Sequence, residues 1–297
     1  MHIYYTDQLN LLVDCLKNIP YDYDLYVTSD DKNQDLISKT ISQQKPDFNF
    51  VSVENVGYDI WPFIKVINDI DLSKYDYLIK LHTKRDMKPE DLGINGLVNL
   101  GNGYFMNNGS TWRDNLLDFI STKQNLQKCL DALQNPQIGM CTRYNLIHNK
   151  PNIGGIMDDA KKLYPQYIFG LDDFNFVAGT MFISKMKPIQ LIKNMDIKID
   201  LFGVSTPDHK TQFAHVVERT IGAAVYKCGM KIIDPFTSKQ HIKHINNMYK
   251  KLKWIKRITG YMVFWIPSQK IRHCIREYLM NISFYPYLKH IGTIDNK

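Results

Sequence analysis

The sequence lacks the signatures that would settle its class at a glance. Its five cysteines, Cys15, Cys129, Cys141, Cys228 and Cys274, are scattered and form no CxxC pair. An odd, unpaired set reads as reduced thiols in a cytosolic protein and excludes a disulfide-stapled scaffold. No stretch approaches the roughly 18 apolar residues of a spanning helix. The longest candidate, Ile258–Pro267, is too short. The opening Ile3-Tyr4-Tyr5 has neither the basic region nor the longer apolar run of a secretory leader, so none is expected. There is no HExxH, no cysteine cluster, no internal repeat and no low-complexity tract. Zinc-protease, zinc-finger and solenoid readings are thereby set aside.

What is present is a chain of 297 residues with 44% hydrophobic residues, enough for one large domain or two small ones. Its net charge of +7 is unevenly spread. From Lys239 onward there are twelve Lys or Arg against two acidic residues, a surplus of ten that leaves about −3 on residues 1–238. A boundary is therefore expected near 238/239, with an α/β domain before it and a basic, aromatic, helical tail over 239–297.

Apolar spacing predicts a strand at His2–Tyr5, a helix over Asp7–Asn18, a strand at Tyr23–Thr28 and a helix over Asp30–Thr40. A strand at Phe48–Val53, a helix over Ile60–Ile70 and a strand at Tyr75–Leu81 follow. Such alternation is the mark of an open, mixed but mainly parallel sheet. Residues 86–110, rich in Gly and Asn, read as a long loop. Later elements are helices at Thr111–Ser121, Asn125–Gln134, Pro188–Met195 and Gln212–Tyr226, the last with Gly222 as an early stop. Strands are expected at Ile138–Thr142, Phe176–Ser184 and Lys231–Asp234.

Two polar clusters stand where these strands end: Asn55-Val56-Gly57-Tyr58-Asp59 after the third, and Lys80-Leu81-His82-Thr83-Lys84-Arg85 at the end of the fourth. Loops at the carboxyl ends of strands line the ligand crevice of an α/β sheet. Gly57 permits a tight turn and close backbone approach, Asn55 can bond a base or ribose edge, and Asp59 can accept from a hydroxyl. Alternatively, Asp59 simply caps the next helix. Lys80, His82, Thr83 and Lys84 form a donor-rich group suited to a diphosphate, although Lys84-Arg85 also fits a solvated face. Trp112 could stack on a ring and Arg113 pair with phosphate, or the two could mark a buried seam. Gly179-Thr180 interrupts an apolar strand, as at a bulge or a close ligand approach. Glu218, flanked by His215 and Arg219, could take a proton from an acceptor hydroxyl, or belong to a helix-surface charge pattern. Asp208 is the second candidate base. For a divalent cation the sequence offers only Asp172-Asp173 and Asp158-Asp159, neither after a clear strand.

At these residues the chain resembles the rhamnan synthesis protein F family of bacterial surface-polysaccharide glycosyltransferases. The likeness is carried by Tyr23–Thr28, Asn55–Phe63, Lys80–Lys84, Trp112-Arg113, Phe176–Phe182 and Glu218–Gly222, and spans roughly residues 2–235. It implies a GT-A-like nucleotide-sugar-binding domain that transfers a sugar to a hydroxyl of a growing, lipid-linked cell-surface polysaccharide such as a capsule, O-antigen or cell-wall polymer. It implies dTDP-L-rhamnose as one donor and other sugars among relatives. The Asp-x-Asp usual in such domains is replaced by His82-Thr83-Lys84, which puts dependence on Mg²⁺ or Mn²⁺ in doubt. Cationic side chains could neutralise the leaving diphosphate instead.

On this reading the donor-binding residues are Asn55, Gly57, Asp59, Lys80, His82, Thr83, Lys84 and Arg113. Trp112, Gly179 and Thr180 face the acceptor, and Glu218 or Asp208 acts as base in an inverting displacement. No tightly bound cofactor is expected. The tail interleaves Lys250, Lys253, Arg257, Arg272 and Arg276 with Trp254, Phe264 and Trp265. It fits an anionic membrane surface on the cytoplasmic side, or packing on the domain or on other polysaccharide-synthesis enzymes. The acidic balance of residues 1–238 argues against nucleic acid. The rival reading is a non-catalytic scaffold or binding protein of polysaccharide synthesis that keeps the transferase fold.

Overall fold

The computed structural model describes residues 1–85, 111–152, 155–203 and 213–238, the strands at 97–99 and 104–106, and, from 240 to 279, residues 240, 243, 247, 250, 254, 257–276, 278 and 279. The chain divides into two units, one of residues 1–85 and 113–236 and one of residues 86–112 and 237–297.

In the first unit, helix α1 (Leu9–Leu16) buries Leu9, Leu12, Val13 and Leu16, the one-face spacing of an amphipathic helix. Strands β1 (Tyr26–Ser29) and β2 (Asn49–Ser52) pair in parallel, Tyr26 opposite Asn49, and are connected through helix α2 (Gln34–Ile41). Helix α3 (Ile60–Asp69) leads to strand β3 (Tyr77–Lys80). The expected first strand is reduced to a bridge: His2 pairs in parallel with both Thr28 and His82. Helix α4 (Thr111–Leu117) and helix α5 (Lys123–Leu133), capped by Thr122 on Asn125, precede strand β6 (Ile138–Cys141). Strand β9 (Phe182–Lys185) lies between β6 and β3 and runs antiparallel to both, and strand β10 (Lys231–Ile233) runs parallel to β6. Through His2 the order across the sheet is therefore β2-β1-His2-β3-β9-β6-β10. Consecutive residues of β1 and β9 are buried, Val27 with Thr28 and Phe182 with Ile183, so these two strands are covered on both faces.

Further sequence expectations change. The strand at Phe176–Ser184 is broken: Gly179 (φ 78°) and Thr180 (φ 51°) turn left-handed, leaving β8 (Phe176–Val177) paired with β7 (Ile147–His148) and β9 as a separate strand. Gly222 does not stop its helix. Helix α8 runs Phe213–Lys227, and Gly222 lies against β8 so closely that a Cβ there would stand 2.7 Å from Phe176 Cα. Helix α7 (Met186–Lys193) begins before Pro188, which sits in its first turn, where a missing N–H costs nothing. Helix α6 (Ile156–Leu163) contributes Met157 to a small core with Phe174 and Ala223.

In the second unit, Leu97–Asn99 and Tyr104–Met106, inside the segment read as a loop, form an antiparallel pair, β4 with β5. Residues 257–263 and 269–276 are helical on either side of Pro267. Trp254, Tyr261, Phe264, Trp265 and Tyr278 are exposed there. Among the described residues no helix is long and apolar enough to cross a membrane.

Candidate functional site

The loop after β2 turns on two consecutive left-handed residues, Gly57 (φ 63°) and Tyr58 (φ 56°). Gly57 is required: a Cβ there would meet the Phe202 ring at 2.4 Å. The turn delivers Asp59 to the N-terminus of α3, but its carboxylate does not cap the helix. It turns inward, where Lys80 Nζ and Thr180 Oγ1 both donate to Oδ2. Lys80 Nζ also donates to Thr180 Oγ1 at 2.9 Å. His82 Nε2 stands 3.8 Å from the same carboxylate oxygen and 2.8 Å from Gly179 O. The cap reading of Asp59 thus gives way to a buried four-residue cluster from the ends of β2, β3 and the start of β9. Burial would raise the Asp59 carboxyl. The charges of His82 and Lys80 and the bonds from Lys80 and Thr180 outweigh it and hold the group well below the usual carboxylate range. Burial lowers Lys80 against the pull of Asp59, and lowers His82 likewise.

A second cluster adjoins the first through the Gly179 peptide. Gly179 N–H donates to Glu218 Oε1 at 3.1 Å, while its carbonyl faces His82. Glu218 Oε2 accepts from Arg219 Nη1 and lies 3.6 Å from His215 Nδ1. Burial would raise Glu218. The His215 bond, the Arg219 and His215 charges and the Gly179 N–H together pull it below its ordinary value, so it is ionised near neutral pH. His215 is the most accessible member, its side chain 31% exposed, and its ring lies 6.1 Å from that of Tyr58. Buried His148, whose Nε2 has no hydrogen-bond partner, feels the charges of Glu218 and Arg219.

Six residues expected from sequence to form the site, Asp59, Lys80, His82, Gly179, Thr180 and Glu218, thus converge at one end of the sheet. The others fall differently. Thr83 is buried, and its Oγ1 accepts the Tyr4 and Tyr5 amides at 2.9 Å each, which anchors the N-terminal segment. Asn55 and Lys84 are exposed. Arg113 donates to Gln8 Oε1 at 3.0 Å and stands 3.6 Å from Asp114. Asp172 pairs with Lys161 and, like Asp173, is exposed. Asp208 and the Trp112 side chain lie outside the described residues. Among the described residues no group of three or more His, Cys, Asp or Glu is arranged to share a metal ion. His215 and His148 went unassigned in the sequence. The i, i+3 spacing of His215 to Glu218 was the available signal for the first, and nothing in the pattern marked the second.

The family model described as rhamnan synthesis protein F matches residues 1–230. The chain belongs to the rhamnan synthesis protein F family. It is 22% identical over 236 residues, 78% of its length, to an uncharacterized protein WxcX of Xanthomonas campestris pv. campestris strain B100, and equally to the WxcX protein of strain ATCC 33913. The chain spans about a third (32%) of the length of these curated relatives. No solved structure matches it. Membership places the protein in a family associated with polysaccharide synthesis.

Proposed function

We propose that the protein is a nucleotide-sugar-dependent glycosyltransferase with a GT-A-like domain. It would move a sugar, L-rhamnose being one candidate, from a nucleoside diphosphate to a hydroxyl of a saccharide or lipid-linked acceptor. The observation that carries this reading is the convergence of Asp59, Lys80, His82, Thr180 and Glu218 at the strand ends of a mixed α/β sheet, in a chain of this family. In this scheme Lys80 and Thr180 fix Asp59 as a positioning group for the ribose or sugar. Exposed Lys84 and Asn55 meet the diphosphate and nucleoside, and the Glu218–His215 pair takes up the acceptor proton. A carboxylate held ionised is a weak base, so its contribution would lie in orientation and in stabilising a protonated His215. The basic, aromatic residues beyond 250 support contact with anionic lipid, where a lipid-linked acceptor would be presented.

One observation favours the non-catalytic alternative: protein groups occupy both carboxylates, Asp59 through Lys80 and Thr180, Glu218 through Arg219 and Gly179. Ligand-observed NMR against nucleoside diphosphates and their sugars, with and without Mg²⁺ or Mn²⁺, separates the two. Selective binding of one nucleotide, weakened by Lys84→Ala, supports the transferase. Absence of binding by folded protein under every condition removes it and leaves the scaffold reading.

A further inference from the structure

The second unit holds an open groove of about 400 Å³, lined by Arg257, Gly260, Tyr261 and Phe264 from the helix at 257–263 and by Arg276 from the helix at 269–276. The first four follow the i, i+3, i+4, i+7 spacing of one helix face. Thr259 and Val263, on the opposite face, are buried, so this helix already has an inward side. Gly260 forms the floor of the groove. Nothing lies within 4 Å of where its Cβ would stand. Glycine weakens a helix interior, and here the missing side chain leaves the groove open.

The groove is cationic. From Lys239 to Arg276 the sequence has ten Lys or Arg and no Asp or Glu, and Glu277 and Asp295 are the only acids after it. Arg257 Nε donates to Tyr261 OH at 3.4 Å, and the guanidinium stands 5.8 Å from the ring centroid. The bond uses Nε and leaves the two terminal nitrogens for a ligand. Among the described residues neither Arg257 nor Arg276 has a carboxylate partner. Two guanidinium groups at one groove suit a phosphate, which Arg meets with paired donors.

Apolar side chains crowd the same end. Phe264 and Trp265, in the turn between the helices, are 69% and 71% exposed, and Met262 and Ile271 beside them are exposed too. The backbone of that turn is satisfied from within. Trp265 Nε1 donates to Met262 O at 2.7 Å, Ile266 N–H to Val263 O at 3.1 Å, and Arg272 Nη1 to Phe264 O at 3.4 Å. The carbonyls that end the helix therefore have partners, and the turn can enter an apolar phase without stranding them. Nucleic acid would use the arginines but leave Met262, Phe264 and Ile271 in water.

We propose that this groove seats the phosphate head of an anionic lipid. Arg257 and Arg276 clamp the phosphate over Gly260, and Phe264 and Trp265 lie among the acyl chains. The seat rests on the transferase reading for its purpose, holding the protein at the bilayer that presents its acceptor, but not for its chemistry.

The test is flotation of the full chain with vesicles of phosphatidylcholine, alone or mixed with phosphatidylglycerol. The mixed vesicles should bind at least about tenfold more tightly, and Arg257→Gln with Arg276→Gln should remove about tenfold or more of that binding. Lys243→Gln with Lys270→Gln deletes the same charge outside the groove and should cost several-fold less. Gly260→Leu fills the groove without deleting a charge or an apolar group. It should leave the thermal midpoint unchanged or raised, yet lower binding as far as the double arginine variant does. No preference for the mixed vesicles overturns the proposal. So does a Gly260→Leu protein that binds like the unaltered chain, or an equal loss in the two double variants, since adhesion would then be diffuse. Tighter binding of a DNA duplex than of the mixed vesicles overturns it in favour of nucleic acid. Vesicle binding by a protein that binds no nucleotide would keep the seat and remove only the transferase.

Discussion

Asp59 and Glu218 both bond to the Gly179-Thr180 segment and have similar exposure, 18% and 14% of the side chain, yet they are held in different ways. The partners of Asp59 come from afar: Lys80 is 21 residues on and Thr180 is 121 residues on. Lys80 itself is 3% exposed. The side-chain partners of Glu218 are its own helix neighbours, His215 and Arg219, and one of them is reached by solvent. The first carboxylate is a tie that closes the fold across three elements. The second is held by charges from its own helix together with the Gly179 N–H.

Removing each carboxylate should have different signatures. Asp59→Ala leaves the buried Lys80 ammonium without its counter-ion and should cost about 3–5 kcal/mol, read as a fall in urea midpoint. Joint replacement, Asp59→Leu with Lys80→Met, should recover most of that loss, because no charge is then stranded. A stable Asp59→Ala protein would end the contrast. Glu218→Gln should cost less, because Gln keeps an oxygen for the Gly179 N–H while Arg219 loses its counter-charge; on the proposed transferase reading it should lower sugar transfer by about 10²–10⁴-fold with donor binding intact. If transfer survives, Glu218 is structural too and the proton goes elsewhere.

Gly57 couples the two clusters. The Phe202 ring against it also packs on Phe213, at the start of the helix that carries Glu218, with centroids 5.1 Å apart. Gly57→Ala, at φ 63° and 2.4 Å from that ring, should cost about 1–3 kcal/mol. It should also impair transfer beyond what the remaining folded fraction explains. Titration gives the smallest effect and touches only the first cluster. Burial, with the charges of His82, Lys80 and the Met1 amine, outweighs the pull of Asp59 and lowers His2 to about 3. The unfolded chain therefore binds this proton more readily, and stability falls as pH drops from the ordinary histidine value near 6.5 toward 3. Between pH 7 and 5 the loss from His2 should be roughly 1–2 kcal/mol, and His2→Gln should flatten the midpoint-versus-pH curve over that interval. An unchanged slope would show that His2 is not the group responsible.

The alternation of strand and helix was legible up to β3 because each helix carries one apolar face and each strand a short apolar run. Asn55–Asp59 and Lys80–Lys84 were legible as strand-end loops for the same reason. Strand direction was not: a run such as Phe182–Lys185 reads alike in either sense, and only its pairing with Lys80 and Cys141 makes it antiparallel. Gly222 looked like a helix stop because glycine weakens helices. It proved to be the place where α8 approaches β8, a fact about two elements 46 residues apart in sequence.

The sequence by itself determined which side-chain types stand at the strand ends and that an α/β sheet presents them, since side-chain type and apolar period are local properties. Tertiary structure decided that Lys80 binds Asp59 rather than standing free, that Thr83 anchors the amino terminus, and that Gly179 links the two carboxylate clusters. Those outcomes depend on which groups burial forces together, and no sequence neighbour reports that distance.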